Sequence, residues 1–265
     1  MPSPPRFSSV IPITLSLTGL ISLMAAPLPA SAYQVYLNGR QGGNPVSNLH
    51  NLTLDSNYDV GRTLDPTTWY VPAGTSNGRE ITPIPLSATL QTVVKAFDSQ
   101  KLTLGLTIKN TTTLPSSNYI ANILSFGFGI TPNVTSVSLS QSENAVFDNA
   151  IVQTSKQQKF PGGFKQIDIC IFSDGCSGGD VKTGLQAGQS DSFDLNIAGD
   201  FWDSSKGTNF VTLSDFPLKF QTTNGSFEPA GVPEPTTIIG TALALGFGVM
   251  SRKKLIKKQA RTVSK

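Results

Sequence analysis

Leu102, Leu104, Leu106 and Ile108 alternate with Thr103, Gly105, Thr107 and Lys109. Successive side chains of an extended strand point to opposite faces, so this run has one apolar and one polar face and suits a half-buried strand, whereas a helix needs a period near 3.6. The same alternation recurs in Phe126, Phe128 and Ile130 against Ser125, Gly127 and Gly129, in Ile167, Ile169 and Ile171 around Asp168 and Cys170, and in Phe193, Leu195 and Ile197 against Ser192, Asp194 and Asn196. Turn-forming residues at Thr131-Pro132-Asn133, Ser173-Asp174-Gly175 and Asn224-Gly225 separate the runs. The pattern predicts an all-β fold: a single antiparallel β-sandwich, jelly-roll or Ig-like, of about eight to ten strands spanning residues 33–230. A short helix is expected where Ser140 and Glu143 form a capping box ahead of Ala145 to Ile151. A long surface loop is expected from Asp55 to Pro85, which is rich in Gly, Pro, Thr and Asn.

Both ends of the chain depart from this pattern. Residues 1–32 carry Arg6, an apolar run from Val10 to Met24, then prolines and Ala30-Ser31-Ala32. That order reads as a secretory signal peptide, with small residues Ala30 and Ala32 preparing a signal peptidase cut before Tyr33. At the other end, segment 231–265 has three parts: Val232, Pro233, Glu234, Pro235 and Thr236, then an apolar helix over 237–251, then a basic tail over 252–265. The apolar part is marginal for crossing a bilayer, which takes about 17–25 residues. The basic residues after it would stay cytoplasmic and leave the rest of the chain outside.

Charge follows the same division. Of the 20 basic residues, seven lie in the last fourteen positions and Arg6 near the start, leaving 12 between positions 33 and 231 against 16 of the 17 acids. The central domain is therefore net negative by four, and the formal charge of +3 belongs to the tail. Nucleic-acid binding, which needs a basic folded face, is excluded on that ground.

The tail resembles a PEP-CTERM sorting signal, with Pro233-Glu234-Pro235 as its motif. The match covers about the last 30 residues, and Thr236 stands where Ser often follows the second proline. The resemblance implies export by a bacterium with two membranes, transient anchoring by the C-terminal helix, cleavage by the membrane transpeptidase exosortase, and association with exopolysaccharide and biofilm matrix. The stretch Gln166 to Asp180 resembles the cistern subgroup of these proteins, which carries no implied activity.

Chemistry-bearing residues are few. The chain has two Cys and one His. Cys170 and Cys176 flank a turn and, in an exported protein, are expected to form a disulfide that closes a hairpin and contributes about 2 kcal/mol by restricting the unfolded chain. A metal site or a reactive thiol is the rival reading, weakened by the lack of a second Cys pair or a nearby His. Gly74-Thr75-Ser76-Asn77-Gly78 matches a nucleophile elbow, but Pro72, Pro83 and Pro85 preclude the following helix and His50 precedes the serine. His50 is expected to point outward from a strand. Asp174, Asp180, Asp200 and Asp203 are read as solvated turn acids, their spacing matching no calcium loop. Four Asn-x-Ser/Thr matches, at Asn51, Asn110, Asn133 and Asn224, are incidental in a bacterial protein. Trp69, Tyr70 and Trp202 are candidates for a sugar-stacking platform, with core packing as the alternative.

The reading is thus a non-enzymatic surface or matrix protein with a structural or adhesive role, without metal or cofactor. A carbohydrate-binding module of the extracellular matrix is the alternative. A polysaccharide-cleaving enzyme built on Asp200 and Asp203 ranks third, since paired carboxylates are what such chemistry requires.

Overall fold

The computed structural model describes residues 50–132, 134–141, 143–153, 160–164 and 167–233, and the backbone alone of residues 40–41 and 44–45. The expected signal peptide and its cleavage residues Ala30, Ala32 and Tyr33, and Glu234, Pro235, Thr236, the apolar helix and the basic tail, lie outside the described residues.

Among the described residues all regular structure is strand apart from two single 3-10 turns, Pro161–Gly163 and Val181–Thr183. In chain order the strands are β1 (Arg40–Gln41), β2 (Asn44–Pro45), β3 (Asn51–Asp55), β4 (Thr67–Val71), β5 (Ser76–Asn77), β6 (Glu80–Ile81), β7 (Leu86–Phe97), β8 (Lys101–Asn110), β9 (Ala121–Thr131), β10 (Val134–Gln141), β11 (Asn149–Val152), β12 (Ile169–Phe172), β13 (Ser190–Gly199), β14 (Trp202–Asp203), β15 (Thr208–Ser214), β16 (Leu218–Thr222), β17 (Gly225–Phe227) and β18 (Val232–Pro233). Two large antiparallel sheets result. One has six strands in the order β10-β13-β8-β7-β4-β18; the other has eight, with β11-β12-β9-β15-β14 as its spine, β16 also beside β9, β17 beside β16, and β3 beside β15. Among the described residues no helix is long and apolar enough to cross a membrane.

Period two decides the six-stranded sheet. Register places Phe193, Leu195 and Ile197 of β13 opposite Leu106, Leu104 and Leu102 of β8, and the last two of those opposite Val94 and Phe97 of β7. All are buried and share one core with Phe126, Phe128, Ile169, Ile171, Val211 and Leu213 of the other sheet, which makes the fold sandwich-like. Asp191 lies at the end of this apolar row, where its carboxylate accepts the backbone N–H groups of Val146 and Phe147, both at 2.8 Å. The outward row carries Ser138, Ser140, Ser192, Thr107 and Lys109, all exposed.

The second sheet departs from simple alternation. Every residue from Ala121 to Ile130 in β9 is buried. Its core face holds Phe126 and Phe128. Its outer face holds Ser125 and Gly127, with Cys170 of β12 opposite Gly127, and it is roofed by a second apolar cluster of Phe160, Phe164, Ile167, Cys170, Cys176 and Ala230. There is little room here: a Cβ at Gly127 would run into the Ile169 carbonyl oxygen of β12 and lie 3.1 Å from Ile167 Cγ2 of the roof. Ser125 donates its hydroxyl to the Cys176 carbonyl at 3.0 Å. Beside Ser125, Lys219 of β16 meets Glu228 at 3.4 Å with both side chains buried.

Several expectations are corrected. The sequence from Ser140 to Ile151 forms no helix; Ser140 belongs to β10, where it pairs with Asp194, and β11 begins at Asn149. Sheet pairing overrides the capping-box signal. Within the expected loop 55–85, β4 is a sheet member paired with β7 and β18. No strand returns after the Ser173-Asp174-Gly175 turn; Cys176 reaches Cys170 from a loop, and the disulfide forms with Cα atoms 6.0 Å apart. His50 does not face outward. It is 5% exposed, because the corner at Asp215 and Phe216 folds over it: the Asp215 N–H donates to the His50 carbonyl at 3.2 Å, and the Phe216 ring centroid lies 5.1 Å from the imidazole.

Candidate functional site

The three candidate stacking aromatics are not brought together. Trp69 and Tyr70 are neighbours in β4 and so point to opposite faces of the six-stranded sheet. Trp69 is 1% exposed and its indole N–H donates to the Phe216 carbonyl at 2.7 Å. It is a core residue and offers no ring face to a ligand, which corrects its assignment to a sugar platform. The reason is long-range: the carbonyl that receives its N–H comes from a corner 147 residues further along the chain. Tyr70 is half-buried. Trp202 belongs to the other sheet and is 55% exposed.

Trp202 stands in a cleft of about 600 Å³ lined by Thr131, Asp200, Asp203, Lys206, Phe210 and Thr212 among others. Local chemistry holds this corner stiff. Phe201 is buried against Phe97, edge to face at 5.8 Å, and its N–H donates to the Ser99 carbonyl at 2.9 Å. The burial of one residue therefore fixes the exposure of the next. Trp202 pairs with Asn209 across the β14–β15 hairpin, which turns through Ser204, Ser205, Lys206 and Gly207. Gly207 takes φ +66, a conformation costly to residues with a Cβ.

Asp203 closes the turn. Its carboxylate accepts the Ser205 N–H at 2.9 Å, the Ser205 hydroxyl at 2.6 Å and the Lys206 ammonium at 2.6 Å. The Lys206 contact first, then Ser205, holds this carboxyl well below the usual carboxylate range. The Lys206 ammonium also lies 3.9 Å from the Phe210 ring centroid. A carboxylate so engaged is a structural part of the hairpin and is poorly suited to accept or deliver a proton near neutral pH. Asp200, on the same cleft, is exposed, and no side chain or N–H among the described residues bonds to it.

The remaining sequence candidates are dispersed. Ser76 lies in the two-residue β5 and donates its hydroxyl to the Gly78 carbonyl at 3.0 Å. His50 instead sits at 3.2 Å from the Thr67 hydroxyl, and burial pushes its pKa down from 6.5 to about 4. Asp174 accepts the Asp180 N–H at 2.8 Å, and Asp180 caps the turn at Val181 through the Lys182 N–H. Both are turn acids, as expected. Among the described residues no group of three or more His, Cys, Asp or Glu side chains is placed to hold a metal ion.

Two features carried no sequence signal. The buried Lys219 is held by Glu228 and by the Ser177 carbonyl at 3.3 Å, while Glu228 also receives the Ser226 hydroxyl and, at 3.3 Å, the Asn77 amide. The Asp168 carboxyl, whose ionisation burial disfavours, accepts the Ile130 N–H at 2.8 Å, which partly opposes that rise in pKa. Both also draw on partners distant in sequence, Ser177 and Asn77 for the ion pair and Ile130 for Asp168. No described protein family matches the chain, and neither does any curated protein or solved structure.

Proposed function

We propose that this chain is an exported bacterial surface or matrix protein with a structural or adhesive role and no enzymatic activity. Its β-sandwich domain crosses the inner membrane behind a cleaved signal peptide. The PEP-CTERM tail then holds it at that membrane until exosortase cuts near Pro233-Glu234-Pro235. The observation that carries this reading is the order of the last 35 residues: motif, apolar run, then seven basic residues with no acid among the last fourteen. The fold supports it. β18 pins Val232 and Pro233 to Thr68 and Thr67, so the motif begins at the edge of the six-stranded sheet. In the sequence only Glu234 to Thr237 then separate the sheet from the apolar run that starts at Ile238. Such a short connection keeps the domain against the membrane surface, and the motif with it. Exopolysaccharide is the partner implied after release.

Intact-mass analysis of the surface and secreted fractions, with sequencing of the terminal peptides, tests this. The expected product begins at Tyr33 and ends near Pro233-Glu234-Pro235. Retention of the basic tail in all fractions would overturn the sorting step.

A further inference from the structure

The geometry points to the Trp202 cleft as a binding site for neutral hexopyranose chains. This inference adds a ligand to the domain proposed above and does not depend on how the tail is processed.

Four observations carry it. First, Trp202 is 55% exposed although Phe201 beside it is buried, so the indole is presented by a fixed backbone and not left outside by a floppy one. Little loop freedom therefore remains to be lost when a ligand docks. Second, the cleft holds an unused donor and an unused acceptor. No described residue bonds to the Trp202 indole N–H or to the Asp200 carboxylate, whereas the indole N–H of buried Trp69 is satisfied. Third, the lining adds the hydroxyl-bearing residues Thr131, Ser204 and Thr212, and Phe210, one face of whose ring is covered by the Lys206 ammonium. An apolar ring face ringed by a few convergent polar groups is what an orienting small-ligand site requires. Fourth, the local charge is selective. Lys206 is neutralised by Asp203, which leaves Asp200 as the uncompensated charge of the cleft.

A pyranose with equatorial hydroxyls meets this chemistry on both counts. Its axial C–H groups form a flat apolar face that matches an indole, and its edge hydroxyls donate to a carboxylate and accept from an N–H. A uronic acid, a sulfated sugar or a phosphate would bring negative charge against Asp200 in a domain already net negative by four. The cleft is neither enclosed nor flat, which leaves room for a chain to continue beyond the stacked unit. No bond is made or broken, because Asp203 is locked in the turn.

The test uses the full-length chain and the fluorescence of its two tryptophans. Since Trp69 is buried, quenching by acrylamide reports Trp202. Cellohexaose and laminarihexaose are titrated against hexagalacturonate, which has six rings and six carboxylates. The expected result is protection of Trp202 by at least one neutral hexaose, with hexagalacturonate weaker by about tenfold or more. Isothermal titration should show Trp202→Ala losing about tenfold or more in affinity and Trp202→Tyr recovering part of it, as loss and partial return of a stacked ring. Asp200→Asn should narrow the gap between neutral and acidic ligands. Ile81→Ala, which removes an equally exposed apolar side chain outside the cleft, should change nothing. The proposal is overturned if neither neutral hexaose binds, if Trp202→Ala binds as well as the parent, or if Trp202→Ala alters self-association in sedimentation instead, which would make the patch a protein contact.

Discussion

The outer face of the six-stranded sheet carries Ser138, Ser140, Ser192, Thr107 and Lys109 in the open, whereas the outer face of the eight-stranded sheet at β9 lies under Phe160, Phe164 and the Cys170–Cys176 disulfide. Each face also has its own ion pair. Lys95 meets Asp194 at 2.5 Å on the open face, with the lysine side chain half exposed, and Lys219 meets Glu228 under the roof. Similar residues thus work in different dielectric surroundings. On the open face water solvates either partner when the other is lost; under the roof nothing replaces it.

The sharpest way to break this comparison is to remove one lysine at a time. Lys219→Ala leaves Glu228 buried with Ser226 and Asn77 but without its counter-ion, and should cost about 3–5 kcal/mol in urea denaturation. Lys95→Ala should cost less than about 1 kcal/mol. Equal costs would show that the roof does not exclude water. Glycines give the next largest contrast. Gly127→Ala drives a methyl into the Ile169 carbonyl and should cost about 1–3 kcal/mol, as overpacking does. At Gly105 the nearest atom to an added Cβ is the Lys95 side-chain carbon Cε at 2.7 Å. That chain end swings aside, so Gly105→Ala should stay within about 1 kcal/mol of the parent and can stabilise by restricting the unfolded strand.

A third, gentler test concerns the interior that both sheets share. The folded pKa of His50, about 4, lies below the unfolded value of 6.5, so between these values the unfolded chain binds more protons at this site. Stability should be full above pH 6.5, decline as pH falls toward 4, and level off below that, with a slope never exceeding about 1.4 kcal/mol per pH unit. Asp168 acts in the opposite sense. Its folded pKa is raised by burial, so protonating it on acidification relieves a penalty. His50→Leu should flatten the decline, measured as urea midpoints from pH 7 to pH 4; a decline of undiminished slope would assign it to other groups.

The comparison also explains what the sequence revealed. The Leu102 to Ile108 alternation is legible because one face of β8 meets water, and the period survives. In β9 the same alternation of Phe126 and Phe128 with Ser125 and Gly127 looks half-buried, yet small residues there make room for a roof drawn from positions 160–176. Small and polar are easily confused in a one-dimensional pattern when the covering segment is distant. Trp69 is hidden for a similar reason: Gly, Pro and Thr around it read as loop, while the Phe216 carbonyl that takes its N–H, and the β18 strand that pairs with Thr67 and Thr68 beside it, are remote. At the cleft, Trp202, Asp200 and Asp203 stand out from sequence as an aromatic among acids. The walls from Thr131 and Thr212 arise only when β9 and β15 come side by side, whereas the lock of Asp203 by Lys206 is local to the turn, three residues apart.

β18 has a mechanical consequence. Whatever load reaches the domain through residues beyond Pro233 is borne first by two register pairs and by the Thr68 hydroxyl donating to the Val232 carbonyl at 3.2 Å. Behind them stands the Gly231 N–H on the Phe216 carbonyl, at 2.8 Å, on the same oxygen that receives the Trp69 indole. Under tension the edge would yield in that order, lengthening the tether by roughly 3.3 Å per released residue before the core felt any strain. If the proposed anchorage pulled on it, the strand would act as a shock absorber for the fold.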